Sequence, residues 1–297
     1  MIDPRIDRST RVIVQGVTGR AGRMHTRMMR DYGTRIVGGV SPRAEIMDVD
    51  GVPVFGSCRD AVAATGATAS VALVGAEQLL GAIEDAAAAG IRLIVTPTEG
   101  MPVHDALAAR RLTQAAGVIW IGASTPGMAV AGVAKLGFLP EASLAPGPLG
   151  LMSKSGTLSY EAGYRLARRG VGTSVWVGVG GDPVKGTRFA ELVPFYAADA
   201  QTEALLIIGE IGGNDEEEFA AALTAQRFTK PAFALLAGRS SPEGVTMGHA
   251  GALVHGSHGG YAAKKNALQT AGVTVCASLN AMTAAIAAWH TAAAGGL

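Results

Sequence analysis

The chain has 297 residues, of which 48% are hydrophobic, 16% are charged and 41 are glycine. This length suffices for one large or two ordinary domains, and a formal net charge of +1 gives no basic excess for a nucleic-acid partner. Cys58 and Cys276 form neither a CxxC pair nor a disulfide framework. Because no apolar run could span a bilayer and the N-terminus does not resemble a signal peptide, we predict a cytoplasmic protein with no membrane partner.

Short β-branched runs recur along the chain, and each is followed by a helical stretch. The first series of predicted strands lies at 11–16, 34–40, 69–75, 91–98 and 117–123. The second series lies at 147–156, 173–181, 203–213, 230–238 and 272–278. Such alternation is typical of parallel sheets covered by helices on both faces. Between the series, 126–148 is rich in Gly, Pro and Ala without clear periodicity, so we predict two doubly wound α/β domains, 1–130 and 131–297.

A glycine-rich turn, GVTGRAG, follows the first predicted strand and opens a helix. Gly16, Gly19 and Gly22 give a GxxGxxG spacing rather than the dinucleotide GxGxxG. Such a turn lets backbone N–H groups approach a phosphate, although a tight turn that needs glycine only for packing would look the same. The second predicted strand is followed by Ser41 and Arg43 rather than by a ribose-binding acid, which argues against NAD and favours a nucleotide with an extra phosphate.

The segment MSKSGTLSYE lies between a predicted strand and a predicted helix. Its Ser153, Ser155, Gly156 and Thr157 suit an oxyanion cradle at a helix N-terminus, to which Lys154 adds a charge. An ordinary N-cap would need only one of these hydroxyls.

Glu210 directly follows an apolar strand, where a carboxylate is costly without a partner. A histidine is the obvious partner, because a carboxylate that accepts from one ring nitrogen makes the other a better nucleophile. The acidic run 215–218 is predicted to begin a helix and to have no catalytic role.

His249 lies between Gly248 and Gly251 in the segment MGHAGALVHGSHGG, so its backbone can bend sharply and approach a ligand. The histidine spacings of six and three residues, without cysteines, match no strong zinc pattern, and we predict no metal site. The other histidines are predicted to lie in solvated loops or on helix surfaces: His25, His104, His255, His258 and His290.

Taken in order, these motifs resemble the α subunit of succinyl-CoA synthetase. The matching segments are GVTGRAG, GGVSP, TEGMPVHD, SKSGTLSYE, GVGGDPVKG, AQTEALLIIGEIGG, TKP and MGHAGAL, and they extend over nearly the whole chain. The resemblance implies a CoA-binding Rossmann-like domain followed by a flavodoxin-like ligase domain. It also implies an NDP-forming acid–CoA ligase with an ATP-grasp β subunit, in an αβ or α2β2 assembly, where ATP or GTP and Mg²⁺ bind mainly to that partner.

The resemblance also assigns roles. His249 would be phosphorylated, Glu210 would hold its ring, and 153–157 would cradle the phosphate. The phosphate would pass to a small di- or tricarboxylic acid, and CoA would displace it to give a thioester. Tyr160 matches a residue at the acid site. The positions that match CoA contacts are Thr18, Gly19, Arg20, Ala21, Pro97, Thr98 and Glu99.

Three segments depart from the family pattern. The CoA-contacting lysine of the family falls on Ala44, and we predict that Arg43 replaces it. Ser124 and Thr125 replace an Asn-Cys pair, which favours an acid larger or more hydroxylated than succinate, such as a malate- or citrate-like acid, with succinate itself as the alternative. Lys154 stands where an arginine is common, which keeps the charge and loses the bidentate fork.

Two other functions compete with the ligase. A catalytically retired CoA-binding or regulatory protein of the same fold would have no reason to keep His249, Glu210 and the cradle, so their presence favours the enzyme. An NAD-dependent dehydrogenase would need the ribose-binding acid that the chain lacks.

Overall fold

The computed structural model describes residues 2–43, 45–241, 248–254 and 259–295. The chain divides into two compact units. The N-terminal unit consists of Pro4–Leu139 and Val184–Thr187, and the C-terminal unit contains the described residues of 140–183 and 188–295. The predicted division at residue 130 into two separate domains stays a prediction.

The N-terminal unit is built on a seven-stranded sheet. Its strands are β1 (Val12–Gln15), β2 (Ile36–Val40), β3 (Asp48–Val49), β4 (Val52–Phe55), β5 (Ala69–Ala72), β6 (Leu93–Thr96) and β7 (Ile119–Gly122), in the order β3-β4-β2-β1-β5-β6-β7. Neighbouring strands pair in parallel except for β3 and β4. The helices are α1 (Arg20–Tyr32), α2 (Cys58–Thr65), α3 (Leu79–Ala88) and α4 (Val103–Ala115). An antiparallel hairpin, β8 (Gly127–Val130) and β9 (Ala134–Gly137), completes the unit.

Trp120 on β7 anchors a part of this unit that is distant in sequence. Its ring is 1% exposed, and its Nε1–H donates to Oγ1 of Thr96 at 2.8 Å. The hydroxyl of Thr187 donates to the Trp120 carbonyl at 2.9 Å, and a side chain at Gly186 would collide with Trp120. Arg110 on α4 also donates to the carbonyl of Gly186 at 2.7 Å. The four residues 184–187 are therefore held by the core of the N-terminal unit.

The C-terminal unit carries five parallel strands. They are β10 (Pro146–Ser153), β11 (Thr173–Gly178), β12 (Ala204–Glu210), β13 (Ala232–Ala237) and β14 (Thr274–Cys276), in the order β14-β13-β12-β10-β11. The helices are α5 (Gly156–Ala167), α6 (Phe189–Ala198), α7 (Asp215–Ala225), α8 (Tyr261–Thr270) and α9 (Leu279–Gly295). Every residue of β12 is buried, as expected for a central strand covered on both faces. Each large apolar side chain of this core contributes about 1.5–3 kcal/mol by leaving water.

The ten predicted strands are all present, and the doubly wound α/β fold is confirmed. The strands β3, β4, β8 and β9 were not predicted, because they are short and lie in glycine- and proline-rich sequence. Within the described ranges, each helix is too short or too polar to cross a membrane.

His25 lies on α1, as predicted, but its side chain is half-buried rather than fully exposed. Its ring stacks on Phe138 with centroids 4.0 Å apart, and its Nδ1 is buried. Burial, together with the positive charge of Lys135, lowers the pKa of His25. The imidazole therefore packs as a neutral ring at neutral pH.

Candidate functional site

The glycine turn after β1 exposes the N-terminus of α1. Gly16 has φ +77°, and a side chain there would collide with the carbonyl of Leu73. A side chain at Gly22 would collide with the carbonyl of Gly16, so both glycines are required for the turn. Gly19 is the N-cap, and no side chain caps the helix. The N–H groups of Arg20 and Ala21 have no partner within α1, which makes this end suitable for an anion.

A cleft of about 440 Å³ opens at this turn. Two hydroxyls lie in its wall, where Oγ1 of Thr18 and Oγ of Ser41 are 2.9 Å apart. The backbone N–H of Arg43 donates to Oγ of Ser41 at 3.2 Å. The wall is formed by Gln15, Gly16, Thr18, Gly19, Val40, Ser41, Pro42, Arg43, Gly56, Leu73, Val74, Gly75, Gln78, Ala82 and Asp85. The wall thus includes two hydroxyls, one arginine and the backbone of the glycine turn that precedes α1.

The predicted CoA contacts fall into two groups. Thr18, Gly19 and Arg43 line the cleft, and the next two predicted contacts are the first residues of α1. The segment 97–99 follows β6, where Oγ1 of Thr98 donates to the carbonyl of Val74 in the cleft wall at 2.7 Å. Ala44 lies outside the described residues.

Sequence reasoning missed Gln15, Gln78 and Asp85 in the wall of this cleft. Gln15 ends the first strand, so the rule that ligands bind beyond strand ends could have indicated it. The other two lie at or near α3, and no strand-end rule identifies them.

The loop after β7 holds the two residues that depart from the family pattern. Ser124 adopts a left-handed φ of +56°, and its N–H donates to the carbonyl of Thr98 at 2.9 Å. Oγ1 of Thr125 accepts from the N–H of Gly127 at 2.9 Å. The Thr125 hydroxyl therefore stabilises its own loop, and Ser124 is the better candidate for contact with a substrate.

His249 and Glu210 meet in the C-terminal unit. Nδ1 of His249 lies 2.7 Å from Oε2 of Glu210, which ends β12. The Glu210 side chain is 8% exposed and the His249 side chain 26%. The carboxylate therefore sets the orientation of a ring that solvent can still reach, and Nε2 is the nitrogen that Glu210 does not contact.

Gly181 makes room for the imidazole, and sequence reasoning missed this role. A side chain at Gly181 would collide with the His249 ring. The carbonyl of Gly181 accepts from the N–H of Gly251 at 3.3 Å, and the carbonyl of His249 accepts from the N–H of Ala252 at 3.0 Å. These bonds fix the backbone that follows His249.

The predicted cradle lies between β10 and α5. The hydroxyl of Ser153 donates to the carbonyl of Ser155 at 2.7 Å and accepts the N–H of Ser155 at 3.0 Å. Ser155 is the N-cap of α5, and its Oγ accepts from the N–H of Leu158 at 3.3 Å. The N–H groups of Gly156 and Thr157 have no partner within the helix, so they are the groups best suited to an anion.

Lys154 is the cradle residue whose charge is engaged elsewhere. Its Nζ lies 3.1 Å from Oδ2 of Asp215 and 3.0 Å from Oε1 of Glu216. The acidic run begins α7, which confirms the predicted helix start, and Asp215 and Glu216 are buried as well. Burial alone would lower the pKa of Lys154, but Glu216, Asp215 and Glu210 outweigh it and raise that pKa.

The remaining predicted positions are less informative. Tyr160 lies on α5, where burial raises the pKa of its hydroxyl to about 12, so it stays protonated and can donate. His104 is exposed, as predicted, and His255 and His258 lie outside the described residues. In the described part of the chain, no three His, Cys, Asp or Glu side chains converge as metal ligands would.

Two protein families match this chain. The CoA binding domain family matches residues 7–100, which contain the turn and cleft of the N-terminal unit. The CoA-ligase family matches residues 152–275, which contain Glu210 and His249.

Several known proteins are similar over most of the chain. The succinate–CoA ligase [ADP-forming] subunit alpha of Aquifex aeolicus (strain VF5) is 42% identical over 272 residues, 91% of this chain and 89% of that protein. The ADP-forming sulfoacetate-CoA ligase subunit SauD of Bilophila wadsworthia (strain 3_1_6) is 43% identical over 270 residues, 90% of this chain and 92% of that protein. The solved structure of Methanosaeta concilii ATP citrate lyase with (3S)-citryl-CoA matches with a TM-score of 0.86 and 25% identity, over 93% of this chain and 49% of that chain.

Proposed function

Because the chain belongs to the succinate–CoA ligase α-subunit family, we propose that it is the α subunit of an NDP-forming acid–CoA ligase that carries a phosphoryl group on His249. The observation that carries this proposal is the 2.7 Å contact between Nδ1 of His249 and Oε2 of Glu210. The β subunit would be an ATP-grasp chain that holds the nucleotide and Mg²⁺, in an αβ or α2β2 assembly.

Glu210 prepares His249 for the first step. When its carboxylate accepts Nδ1–H, the lone pair of the ring lies on Nε2, which can attack the γ-phosphorus of ATP or GTP. The Nε2–P bond forms as the bond from phosphorus to the diphosphate oxygen breaks. The ring gains positive charge in this step, and the adjacent carboxylate stabilises it.

The N-terminus of α5 is suited to the transferred group. The N–H groups of Gly156 and Thr157 and the positive end of the helix dipole would stabilise a phosphoryl group. Ser155 caps the third amide of the helix and so holds the other two in place.

The second half of the reaction needs an acid and a thiol. The phosphoryl group would pass from Nε2 to a substrate carboxylate, and bound CoA would supply the thiol that takes the acyl group and releases phosphate. The cleft of the N-terminal unit suits CoA, because the backbone at the start of α1 can contact its phosphates. Arg43 would then replace the lysine that the family uses at Ala44.

The acid is a small di- or tricarboxylate in our proposal. Ser124 supports an acid with a hydroxyl group, because its side chain is smaller than the asparagine of the family and can hydrogen-bond. Among the relatives, the names specify succinate and sulfoacetate, and the solved ATP citrate lyase holds citryl-CoA. Succinate therefore remains the alternative substrate.

Phosphorylation of the assembled enzyme tests the proposal. We expect the chain, incubated with its β partner, ATP labelled at the γ-phosphate and Mg²⁺, to take one acid-labile label, and His249→Asn to abolish it. His104→Asn is the matched control, because His104 is an exposed histidine on α4. His255→Asn and His258→Asn should also keep the label.

Two results would contradict the proposal in different ways. A label that persists in His249→Asn would place the phosphoryl group elsewhere. A wild-type pair that takes no label but binds CoA would instead favour the retired CoA-binding protein.

A further inference from the structure

A fully buried carboxylate is bonded to the backbone of Glu210. Glu216 is 0% exposed, and its Oε1 accepts from the N–H of Glu210 at 3.1 Å. Gly209 makes this approach possible, because a Cβ at that position would lie 2.5 Å from Oε1 of Glu216. The end of β12 therefore omits a side chain next to Glu210 at the place where the carboxylate reaches the backbone.

Two buried ammonium groups neutralise Glu216. Nζ of Lys154 lies 3.0 Å from Oε1, and Nζ of Lys264 on α8 contacts Oε2. We call Lys154, Glu216 and Lys264 the Glu216 cluster. Burial alone would raise the pKa of Glu216, but the two ammonium groups outweigh it and lower that pKa, so the carboxylate is ionised at neutral pH.

Other charged groups surround the cluster. Asp215 contacts Lys154 at 3.1 Å, and Glu217 contacts Lys264 at 3.0 Å. Arg188, which precedes α6, binds Asp215 at 2.5 Å. Glu210 is also close enough to Lys154 for their attraction to raise the pKa of the lysine.

The cluster joins the segments that the proposed chemistry uses. Lys154 stands between Ser153 and Ser155, and Glu216 holds the backbone of Glu210. Nζ of Lys264 donates to the carbonyl of Gly213 at 3.0 Å, in the turn between β12 and α7. A buried ion pair is often no more stabilising than apolar residues of the same volume, so stability alone does not account for this arrangement.

Resting on the proposed function, we propose that Glu216 is a positioning residue for His249. It holds the backbone of Glu210 and occupies the ammonium of Lys154, so the Glu210 carboxylate stays on Nδ1 of His249. Without the negative charge of Glu216, the nearby carboxylates left to Lys154 include Glu210. In a site shielded from water, that attraction would draw Glu210 away from the imidazole.

Single-turnover phosphorylation of the assembled enzyme by ATP, followed against pH, tests this inference. Glu216→Gln removes the charge and keeps an oxygen that can accept from the Glu210 backbone. We expect the rate to fall about 10–100-fold, as for other residues that orient a reactive group through a neighbour. We also expect the acid limb of the pH profile to move to lower pH, because an imidazole that loses its carboxylate protonates less readily.

The matched control is Glu217→Gln. Glu217 is adjacent on α7 and also pairs with Lys264, whereas the N–H of Glu210 donates to Glu216. The phosphorylation rate of Glu217→Gln and the acid limb of its pH profile should equal those of the wild type. A shift of the acid limb in Glu217→Gln as large as in Glu216→Gln would overturn the inference.

If Glu216→Gln does not fold, the double variant Glu216→Gln/Lys264→Met is measured in its place. It removes one negative and one positive charge, so the net charge of the cluster is unchanged. The double variant should show the same displaced limb, because Lys154 has still lost the carboxylate of Glu216. An acid limb at the wild-type pH in the variant that folds would overturn the inference, since a purely structural role lowers the labelled fraction without moving the limb. Failure of the proposed function is distinguishable, because the wild type would then take no label or His249→Asn would keep it.

Discussion

The two units place a helix N-terminus after a parallel strand but surround it with different chemistry. At α1, the backbone acts without a side-chain cap, beside the neutral hydroxyls of Thr18 and Ser41. At α5, a serine side chain caps the helix, and the neighbouring charges of Lys154 and Glu216 are buried and paired. An open site with exposed backbone groups suits a ligand that enters and leaves. A buried network suits a residue that must keep one orientation while its own charge changes, and it tolerates substitution poorly.

We expect the largest effect, a loss of stability, when a buried ion pair is broken and little effect when an exposed one is. Lys264→Met leaves Glu216 and Glu217 without one ammonium partner, and we expect a loss of about 3 kcal/mol of unfolding free energy. Asp50→Asn breaks the Arg27–Asp50 pair, whose side chains are 67% and 43% exposed, and should leave Tm unchanged. Thermal unfolding of both variants checks this. Equal losses of Tm would show that burial does not separate the two kinds of ion pair.

Loss of the carboxylate at His249 should have the next largest effect. Glu210→Gln removes the charge that stabilises the phosphorylated ring, so we expect phosphorylation to slow by about 100-fold. Glu203→Gln is the control, because Glu203 is exposed and precedes the other end of β12. Single-turnover labelling measures both rates. A Glu210→Gln rate within twofold of the wild type would remove Glu210 from the mechanism.

The backbone site of the N-terminal unit predicts a smaller effect. At Gly19 a Cβ would lie 3.3 Å from the Gly16 carbonyl, so Gly19→Val requires a small shift of the turn and fills the space at the helix N-terminus. We expect the Kd for CoA to rise at least 30-fold, about 2 kcal/mol. Gly81→Val is the control, since Gly81 is an exposed glycine with open space around it. Calorimetry on the folded full chain measures both, NAD should bind to neither, and unchanged CoA affinity in Gly19→Val would refute the assignment.

We expect the smallest effect from the loop after β7, where substitutions should change which acid the enzyme prefers as substrate. In Ser124→Asn/Thr125→Cys we expect kcat/KM for succinate to rise relative to hydroxy-acids by about 10-fold, or about 1.4 kcal/mol. Asparagine tolerates the left-handed backbone that Ser124 adopts, so the variant should fold. The measurement compares succinate, malate and citrate in both proteins. Succinate preferred by a wide margin in both would show that this loop does not set specificity.

The sequence was sufficient to predict ten strands, the doubly wound fold and the pairing of Glu210 with a histidine. The pairing was accessible because a carboxylate at the end of an apolar strand needs a partner, and the histidine between glycines can approach one. The hairpin β8–β9 was not, since its short strands lie in a segment without periodicity.

The surroundings of the site could not be predicted from local pattern. Glu216 belongs to an acidic run that suits the start of a helix, and that part was right. Its burial depends on Lys264, 48 residues away, and on the missing side chain of Gly209. The role of Gly181 could not be predicted for the same reason, because its missing side chain makes room for the ring of His249, which is distant in sequence. Such requirements arise only when the chain is folded.

Because Val184–Thr187 belongs to the N-terminal unit, this unit cannot finish folding during synthesis until residue 187 has been added. A ribosome adds about 5–20 residues per second, and domains generally fold as they emerge. The segment that bonds to Trp120 and Arg110 is translated several seconds after β9 at that rate. The nascent N-terminal unit must therefore wait, with the Trp120 region uncovered, until the first strands of the next unit have been synthesised.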